Sequence, residues 1–318
     1  MKRGIILAVL LVSILIINGC QDFGFGKKQA KQPQQQAFVG GTKGLEIAFS
    51  QDEPPSIVLD NNQETFFITL LVRNVGEFNI PVGKLIASLS GVQQSSFGIA
   101  SMNTVNSFEL FGTIKDREFV TPGGEDFLEF GEASFKSDIP GTTSFPLRAD
   151  VCYTYQTKAV SSICLKRDVL RKSFSDVCEI NNNNVQVESS GGPIQIINVR
   201  ENSVGNSKVK ISFKVVNKDV GAVYEPGTFS NACVGHEDDK DRVKVTVSNP
   251  QNNFNIECTQ FGNRNSGAIK LINKEKDINC MISTSNIQEV SFKDVIIFTA
   301  DYQYRQGVQT TIVVENSN

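Results

Sequence analysis

The chain has 318 residues, a formal net charge of -3 and 40% hydrophobic residues. This length suggests about two domains of roughly 100–200 residues each, and the hydrophobic share excludes a disordered chain. The small net charge gives no electrostatic reason to expect nucleic acid as a partner. The one histidine, His236, excludes two-histidine metal sites and would have to serve in any Ser-His or Cys-His catalytic pair.

The amino terminus predicts export and a membrane anchor. Lys2 and Arg3 precede an apolar run over residues 4–17, which is shorter than the about 20 residues of a membrane span. Residues 1–20 therefore predict a signal peptide or a short anchor. Cys20, after Ile-Asn-Gly, resembles the lipobox of lipoprotein signal peptides, and this resemblance implies acylation of Cys20. An uncleaved anchor is the alternative, and both place the chain at the extracytoplasmic face of the cell membrane.

Residues 21–42 predict a flexible tether. The stretch KKQAKQPQQQA within it has no large apolar side chain that could be buried. Its three lysines are few for a polybasic membrane-binding patch, so we interpret it as a spacer.

One strand-and-turn pattern occurs twice in the remaining chain. Residues 66–80 read FFITLLVRNVGEFNI, and residues 211–224 read ISFKVVNKDVGAVY. In each copy an alternating strand runs into an asparagine, Asn74 or Asn217, and a glycine follows in the turn. Shorter alternating runs precede the two copies, at residues 45–49 and 194–196. One apolar face and one polar face predict antiparallel sheets.

The ends of the two halves also match. LRADVCYTY at 147–155 lies over IIFTADYQY at 296–304, at an offset of 149 residues. We predict that each half closes with a hairpin that turns near Lys158 or Gly307. The fold class is therefore all-β, with two tandem immunoglobulin-like β-sandwiches at 43–170 and 190–316 and a linker at 171–189. The four tyrosines at 153, 155, 302 and 304 alternate in line with apolar neighbours, which favours core packing over an aromatic binding platform.

The strand-Asn-x-Gly pattern resembles CARDB-type and related immunoglobulin-like domains of prokaryotic surface proteins. The signal segment, VCYTYQT…SSICL and YQYRQGVQTTIVV are also similar to uncharacterised exported surface lipoproteins of small-genome archaea. The resemblance implies an adhesive or scaffolding surface module, and it implies no catalytic residue.

The cysteines other than Cys20 predict three disulfides, because an even set in an exported chain indicates paired thiols. The predicted hairpin places Cys152 opposite Cys164, so these two are expected to pair. Cys258 and Cys280 lie on short strands and form the second predicted pair. The third pair, Cys178–Cys233, follows by elimination. No C-x2-C spacing occurs, which argues against zinc and against a redox pair.

The densest acidic cluster lies at residues 234–241, VGHEDDKD. Its carboxylates are weak candidates for Ca²⁺ ligands, namely Glu237, Asp238, Asp239 and Asp241. The spacing is not that of a calcium loop and Lys240 interrupts it, which favours a solvated turn with no metal. No phosphate loop or nucleophile elbow occurs, so we expect neither an enzyme nor a cofactor.

These observations predict a membrane-anchored extracytoplasmic surface protein with a structural, adhesive or protein-interaction role. Its expected partners are the membrane, through the anchor, and other surface proteins or further copies of the chain. The alternative is a surface module that binds calcium or polysaccharide.

Overall fold

The computed structural model describes residues 37–173, 176–180, 184–229, 232–285, 287 and 290–317. The predicted signal segment, Cys20 and most of the predicted tether lie outside these residues. The described part contains no helix that is both long enough and apolar enough to cross a membrane. Residues Gln36–Asn318 belong to one compact unit.

The described residues form strands and short turns, which confirms the prediction of an all-β fold. The strands are β1 (Leu45–Phe49), β2 (Ile57–Leu59), β3 (Phe66–Asn74), β4 (Leu85–Ser90), β5 (Asn103–Val105), β6 (Ile114–Asp116), β7 (Phe119–Thr121), β8 (Glu125–Ala133), β9 (Thr142–Lys166), β10 (Val187–Ser189), β11 (Ile194–Val204), β12 (Lys208–Asn217), β13 (Ala222–Tyr224), β14 (Arg242–Ser248), β15 (Ile256–Cys258), β16 (Ser266–Lys270), β17 (Glu275–Ser283) and β18 (Ser291–Glu315). We call β1–β9 the first half and β10–β18 the second half.

The strands are arranged in a sandwich-like set of sheets that are antiparallel except for β2, which pairs parallel with β18. A three-stranded sheet, β1-β3-β8, belongs to the first half, and a four-stranded sheet, β11-β12-β17-β15, belongs to the second. A nine-stranded sheet is shared by both halves along the path β16-β14-β18-β9-β4-β5, with β2, β10 and β13 alongside. The predicted first strands of the halves are β1 and β11, and the repeated strands are β3 and β12. The division into two immunoglobulin-like domains stays a prediction, because the two halves have this sheet in common.

The shared sheet is held together by β9 and β18, which pair antiparallel over 25 residues each. The hairpins predicted near Lys158 and Gly307 are therefore wrong. The buried face of β9 continues without interruption through Tyr155, Thr157 and Ala159. No proline or asparagine interrupts this stretch, so alternation carries the strand past the predicted turn.

The register of β9 and β18 gives the two halves a local two-fold relation. Tyr153 lies opposite Tyr304, and Tyr155 lies opposite Tyr302. The sequence offset of 149 places Tyr153 on Tyr302 and Tyr155 on Tyr304. Exchanging the halves therefore maps each paired tyrosine set onto the other, about a point between Thr154 and Gln303.

Three disulfides join the six described cysteines, which confirms their number. Cys258 and Cys280 lie opposite each other on β15 and β17 and pair as predicted. The predicted pairs Cys152–Cys164 and Cys178–Cys233 are wrong. Cys152 and Cys164 lie 12 residues apart on one extended strand, about 40 Å at the rise of a strand, which a disulfide cannot bridge.

The observed partners of these cysteines brace β9 instead. Cys152 pairs with Cys233, which links the first half to the second, and Cys164 pairs with Cys178 in the segment after β9. The disulfides indicate an oxidising, extracytoplasmic environment.

Candidate interaction surface

The repeated asparagine fixes the last strand of its own half. The Tyr155 hydroxyl donates to Asn74 Oδ1 over 3.1 Å, and the Tyr304 hydroxyl donates to Asn217 Oδ1 over 3.1 Å. Each asparagine also donates from Nδ2 to a backbone carbonyl four residues later, over 2.7 and 3.0 Å. The two sequence repeats therefore contain the two partners of one contact. One repeat carries the asparagine and the other carries the tyrosine that donates to it.

The glycines of the repeat leave room for these tyrosines. A Cβ on Gly76 would collide with the Tyr155 hydroxyl, and a Cβ on Gly221 would lie 2.5 Å from the Tyr304 ring. Because both positions face a buried ring, a larger residue would displace the tyrosine from its asparagine.

The four tyrosines form one buried cluster across the two halves, which confirms their predicted role in the core. The ring centroids of Tyr153 and Tyr304 are 5.9 Å apart, and those of Tyr155 and Tyr302 are 6.1 Å apart. Burial raises the pKa of each of the four hydroxyls well above its ordinary value. The cluster is therefore neutral packing and offers no aromatic surface to a sugar.

A short strand fills a slot between two sheets in the second half. Strand β10 pairs antiparallel with β9 at residues 159–161. The Ser190 N–H donates to the Lys158 carbonyl over 2.7 Å, continuing this ladder. On its other side the Ser189 hydroxyl donates to the Ile196 carbonyl of β11 over 2.9 Å. Strand β10 thus closes the gap between the shared sheet and the four-stranded sheet.

The equivalent slot of the first half lies between β18 and β1. The offset of 149 maps the β9 residues that hold β10 onto residues 308–310 of β18. On the edge of β18 opposite β9, β13 pairs with residues 303–305 and β2 with residues 313–315. Among the described strands, none pairs with residues 306–312 on this edge. We call this gap the open slot.

A cleft of about 420 Å³ lies at the open slot. Its walls include Leu45 and Ile47 of β1, Gln306 and Gly307 of β18, and the exposed Val220. The Gln306 amide donates to the Leu45 carbonyl over 3.0 Å, which is a side-chain contact across the gap where β10 makes a ladder in the other half.

Large exposed aromatic side chains are concentrated in the first half. Five phenylalanines there are 51–79% exposed, namely Phe67, Phe108, Phe111, Phe119 and Phe127. In the described part of the second half, the exposed large hydrophobic residues are valines and Ile272. Phe127 lies on the outer face of β8, opposite Leu71 of β3, and Phe119 lies on the β6–β7 hairpin.

The acidic loop forms a short turn before β14. Glu237–Asp239 form one 3-10 turn, and the Lys240 ammonium lies 3.4 Å from the Glu237 carboxylate. Asp238 and His236 are exposed, and Asp241 caps the loop in a left-handed conformation. Within the described ranges, no three or more His, Cys, Asp and Glu side chains are grouped so as to hold a metal ion.

A buried ion pair fixes the segment after β9, beside the Cys164–Cys178 bond. The Lys166 ammonium contacts the Asp176 carboxylate over 2.6 Å and donates to the Arg171 carbonyl over 2.9 Å. The hydrogen bond from Lys166 lowers the pKa of Asp176 below its ordinary value. This pair gave no sequence signal, since its partners approach each other only through the turn that follows β9.

Comparison with known proteins gives only weak likenesses. No family model and no curated protein matches the chain. A crystal structure of envelope protein VP37 from White Spot Syndrome Virus is 10% identical with a TM-score of 0.24, over 48% of this chain and 98% of that one. A protein of unknown function from Porphyromonas gingivalis W83 is 12% identical with a TM-score of 0.18, over 76% of this chain and 83% of that one. At these TM-scores neither likeness bears on the function of this chain.

Proposed function

We propose that the chain is an extracytoplasmic surface protein, anchored through its N-terminal segment, that binds other proteins through its first half. The single observation that carries this proposal is the set of five exposed phenylalanines confined to that half. Exposed aromatic residues cost solubility, and they are enriched at the centres of protein interfaces.

The rest of the proposal draws on the cysteines and the repeat. The three disulfides fit a protein that works outside the cytoplasm. The lipobox-like Cys20 supplies the proposed anchor, and residues 21–36 the spacer between membrane and folded part. We further propose that each half is an immunoglobulin-like unit of the CARDB-like type, fused to the other through the shared sheet. A rigid, cross-braced body of this kind presents its outer faces in fixed orientation.

Site-specific photo-cross-linking in the native cells tests the binding face. A photoreactive side chain is placed at Phe127 or Phe119, and as a matched control at Ile272 of the second half. We expect a discrete cross-linked protein from the first two positions and none from Ile272. Equal adducts from all three positions, or none from any, would contradict a binding face on the first half.

The anchor is tested separately with Cys20→Ser. Metabolic labelling with a fatty-acid analogue should mark the natural chain and leave the variant unmarked. Membrane retention of an unlabelled natural chain would support the uncleaved anchor instead.

A further inference from the structure

We propose that the open slot is a docking site for an extended segment of a partner protein, which adds as a strand to the edge of β18. This inference rests on the proposed function, because it names a site through which the first half would bind its partner. It is carried by the difference between two equivalent positions of one fold, one occupied by β10 and one empty of any described strand.

On the edge of β18 that faces the open slot, the backbone N–H and C=O groups have no described partner strand. The Val313 N–H donates to the Ser56 carbonyl on this edge over 2.9 Å. The backbone groups of the odd-numbered residues of β18 therefore point to this edge. Because successive residues of a strand turn their N–H and C=O groups to opposite edges, Gly307, Gln309 and Thr311 turn theirs towards the slot. An incoming strand can therefore form the same antiparallel ladder that β10 forms with β9.

The backbone of β1 forms the opposite wall. The Ser50 N–H donates to Thr69 of β3 over 2.9 Å, so the even-numbered residues of β1 face β3. The N–H and C=O groups of Leu45, Ile47 and Phe49 consequently face away from β3, and the Leu45 carbonyl already accepts the Gln306 amide from across the gap. Strand edges that have no described partner strand are where an extended peptide can add as a further strand.

The occupied slot indicates the chemistry of the occupant. Ser189 of β10 donates its hydroxyl to Ile196, and the offset of 149 maps Ile196 onto Ile47. A serine or threonine at the matching position of an incoming segment would reach the Ile47 carbonyl. We therefore expect an extended segment with a small hydroxyl residue facing β1, followed by residues small enough to pass the close approach that Gly191 and Gly192 make in the occupied slot.

The chain's own corresponding segment lies elsewhere. By the offset of 149, residues 38–40 correspond to residues 187–189 of β10. They nevertheless extend towards the second half. The Glu77 carboxylate holds them there, by accepting the N–H groups of Val39 and Gly40 over 2.9 Å each. It also accepts the Gly191 N–H over 2.6 Å. This contact directs the chain away from the open slot and leaves the slot to another segment.

A labelled peptide with the sequence of residues 185–192, VQVESSGG, is the probe for the slot, used with the purified full chain. We expect saturable binding and slower amide hydrogen exchange at residues 307–311 and 45–49. Protection confined to residues 158–161 would mean that the peptide only displaces β10, and would overturn the proposal. Absence of saturable binding would also overturn it.

Two control peptides separate strand addition from adsorption to the exposed phenylalanines. N-methylation of the nitrogens that match Glu188 and Ser190 removes the two ladder donors and should abolish binding. Replacing the serine that matches Ser189 with alanine should weaken binding about five-fold, the effect of one hydrogen bond of about 1 kcal/mol. Equal binding of all three peptides would contradict strand addition.

Two protein variants test whether the peptide binds at the open slot, and hydrogen exchange without peptide then identifies the natural occupant. Ile47→Pro removes one N–H and adds a ring at the slot, so it should block the peptide, whereas Val105→Pro on the edge strand β5 should not. The amide hydrogens of the slot residues could already exchange slowly without peptide, and more slowly at higher protein concentration. That result would assign the slot to a second copy of the chain. Protection that disappears on deleting residues 21–36 would assign it to the chain's own tether, and either result would overturn a partner protein.

These measurements need neither membrane nor cell, so a negative result in them would not by itself contradict the proposed function. Loss of the cellular cross-links with intact peptide binding would count against the proposed function alone. Cellular cross-links from Phe127 without peptide binding would support the proposed binding face and contradict strand addition at the open slot.

Discussion

The two halves of this protein use the same internal contact and differ at their surfaces. In both, an asparagine at the end of the repeated strand holds a buried tyrosine of the long strand, over 3.1 Å in each case. The second half closes its slot with β10, whereas the first half leaves the slot open and exposes five phenylalanines. The two halves thus keep the same interior contact while their described surfaces differ.

The bond between the halves should have the largest effect on stability. Removing the Cys152–Cys233 disulfide with paired serine substitutions releases a loop of 81 residues. The chain-entropy argument gives a loss of about 4 kcal/mol in the free energy of unfolding. Urea denaturation measures this, and the same change at Cys258–Cys280, with its separation of 22, should cost less. An equal or larger loss at Cys258–Cys280 would mean that the disulfide between the halves adds little.

The shared asparagine is the next test, because equivalent contacts should have equivalent energies. Asn74→Ala and Asn217→Ala each leave a tyrosine hydroxyl and a backbone carbonyl without their partner in a buried site, and Asn74→Ala also removes the donor to the Leu110 carbonyl. We expect each to lower the free energy of unfolding by about 2–3 kcal/mol. Asn103→Ala, on the exposed edge strand β5, is the control and should change it by less than about 0.5 kcal/mol. Asn74→Ala should lose the more of the two, because Asn74 also donates to the Leu110 carbonyl over 3.1 Å, and a larger loss at Asn217 would break the equivalence of the shared contact.

The tyrosine hydroxyls should matter less than the asparagines they contact. Tyr155→Phe and Tyr304→Phe keep the ring in the cluster and remove the hydrogen bond to the asparagine, worth about 1 kcal/mol. Tyr155→Phe also removes the acceptor of the Phe78 N–H, a longer contact of 3.4 Å. In thermal or urea unfolding the loss at Tyr155 should equal or slightly exceed the loss at Tyr304. Combining Tyr155→Phe with Asn74→Ala should then cost less than the sum of the two, because both changes break the same bond.

The exposed phenylalanines should have the smallest effect on folding. Phe127→Ser and Ile272→Ser remove side chains that are already in water, so each should shift the free energy of unfolding by less than about 0.5 kcal/mol. The variants should differ in binding instead, with cross-linking from Phe119 reduced by Phe127→Ser and unchanged by Ile272→Ser. A clear loss of stability in Phe127→Ser would give this residue a packing role.

The sequence predicted those parts of the structure that follow from local alternation and from repetition. The all-β class, the strand at residues 66–74 and its copy ending at Asn217 all have a period of two that a single strand determines. The buried tyrosines followed in the same way. The Cys258–Cys280 pair was accessible because both cysteines stand in short, recognisable strands.

The parts that the sequence did not predict depend on pairing between distant segments. Alternation in β9 is the same whether the chain turns at Lys158 or continues to Lys166, and only the partner strand β18 decides between them. The wrong hairpin led directly to the wrong Cys152–Cys164 pair. The open slot was also out of reach, since it is defined by a strand present in one half and missing from the matching place in the other.

The length of the β9–β18 ladder determines when this protein can finish folding. Strand β9 ends at Lys166, but its partner β18 begins only at Ser291. If the chain is exported from its amino terminus, β9 therefore carries one long strand edge without its partner until β18 has followed it across the membrane. Such an edge invites pairing with other chains during that delay, and the closure of β18 onto it is intrinsically slow because the contacts are far apart in sequence. We expect the folding yield of this protein to depend on how quickly β18 follows β9.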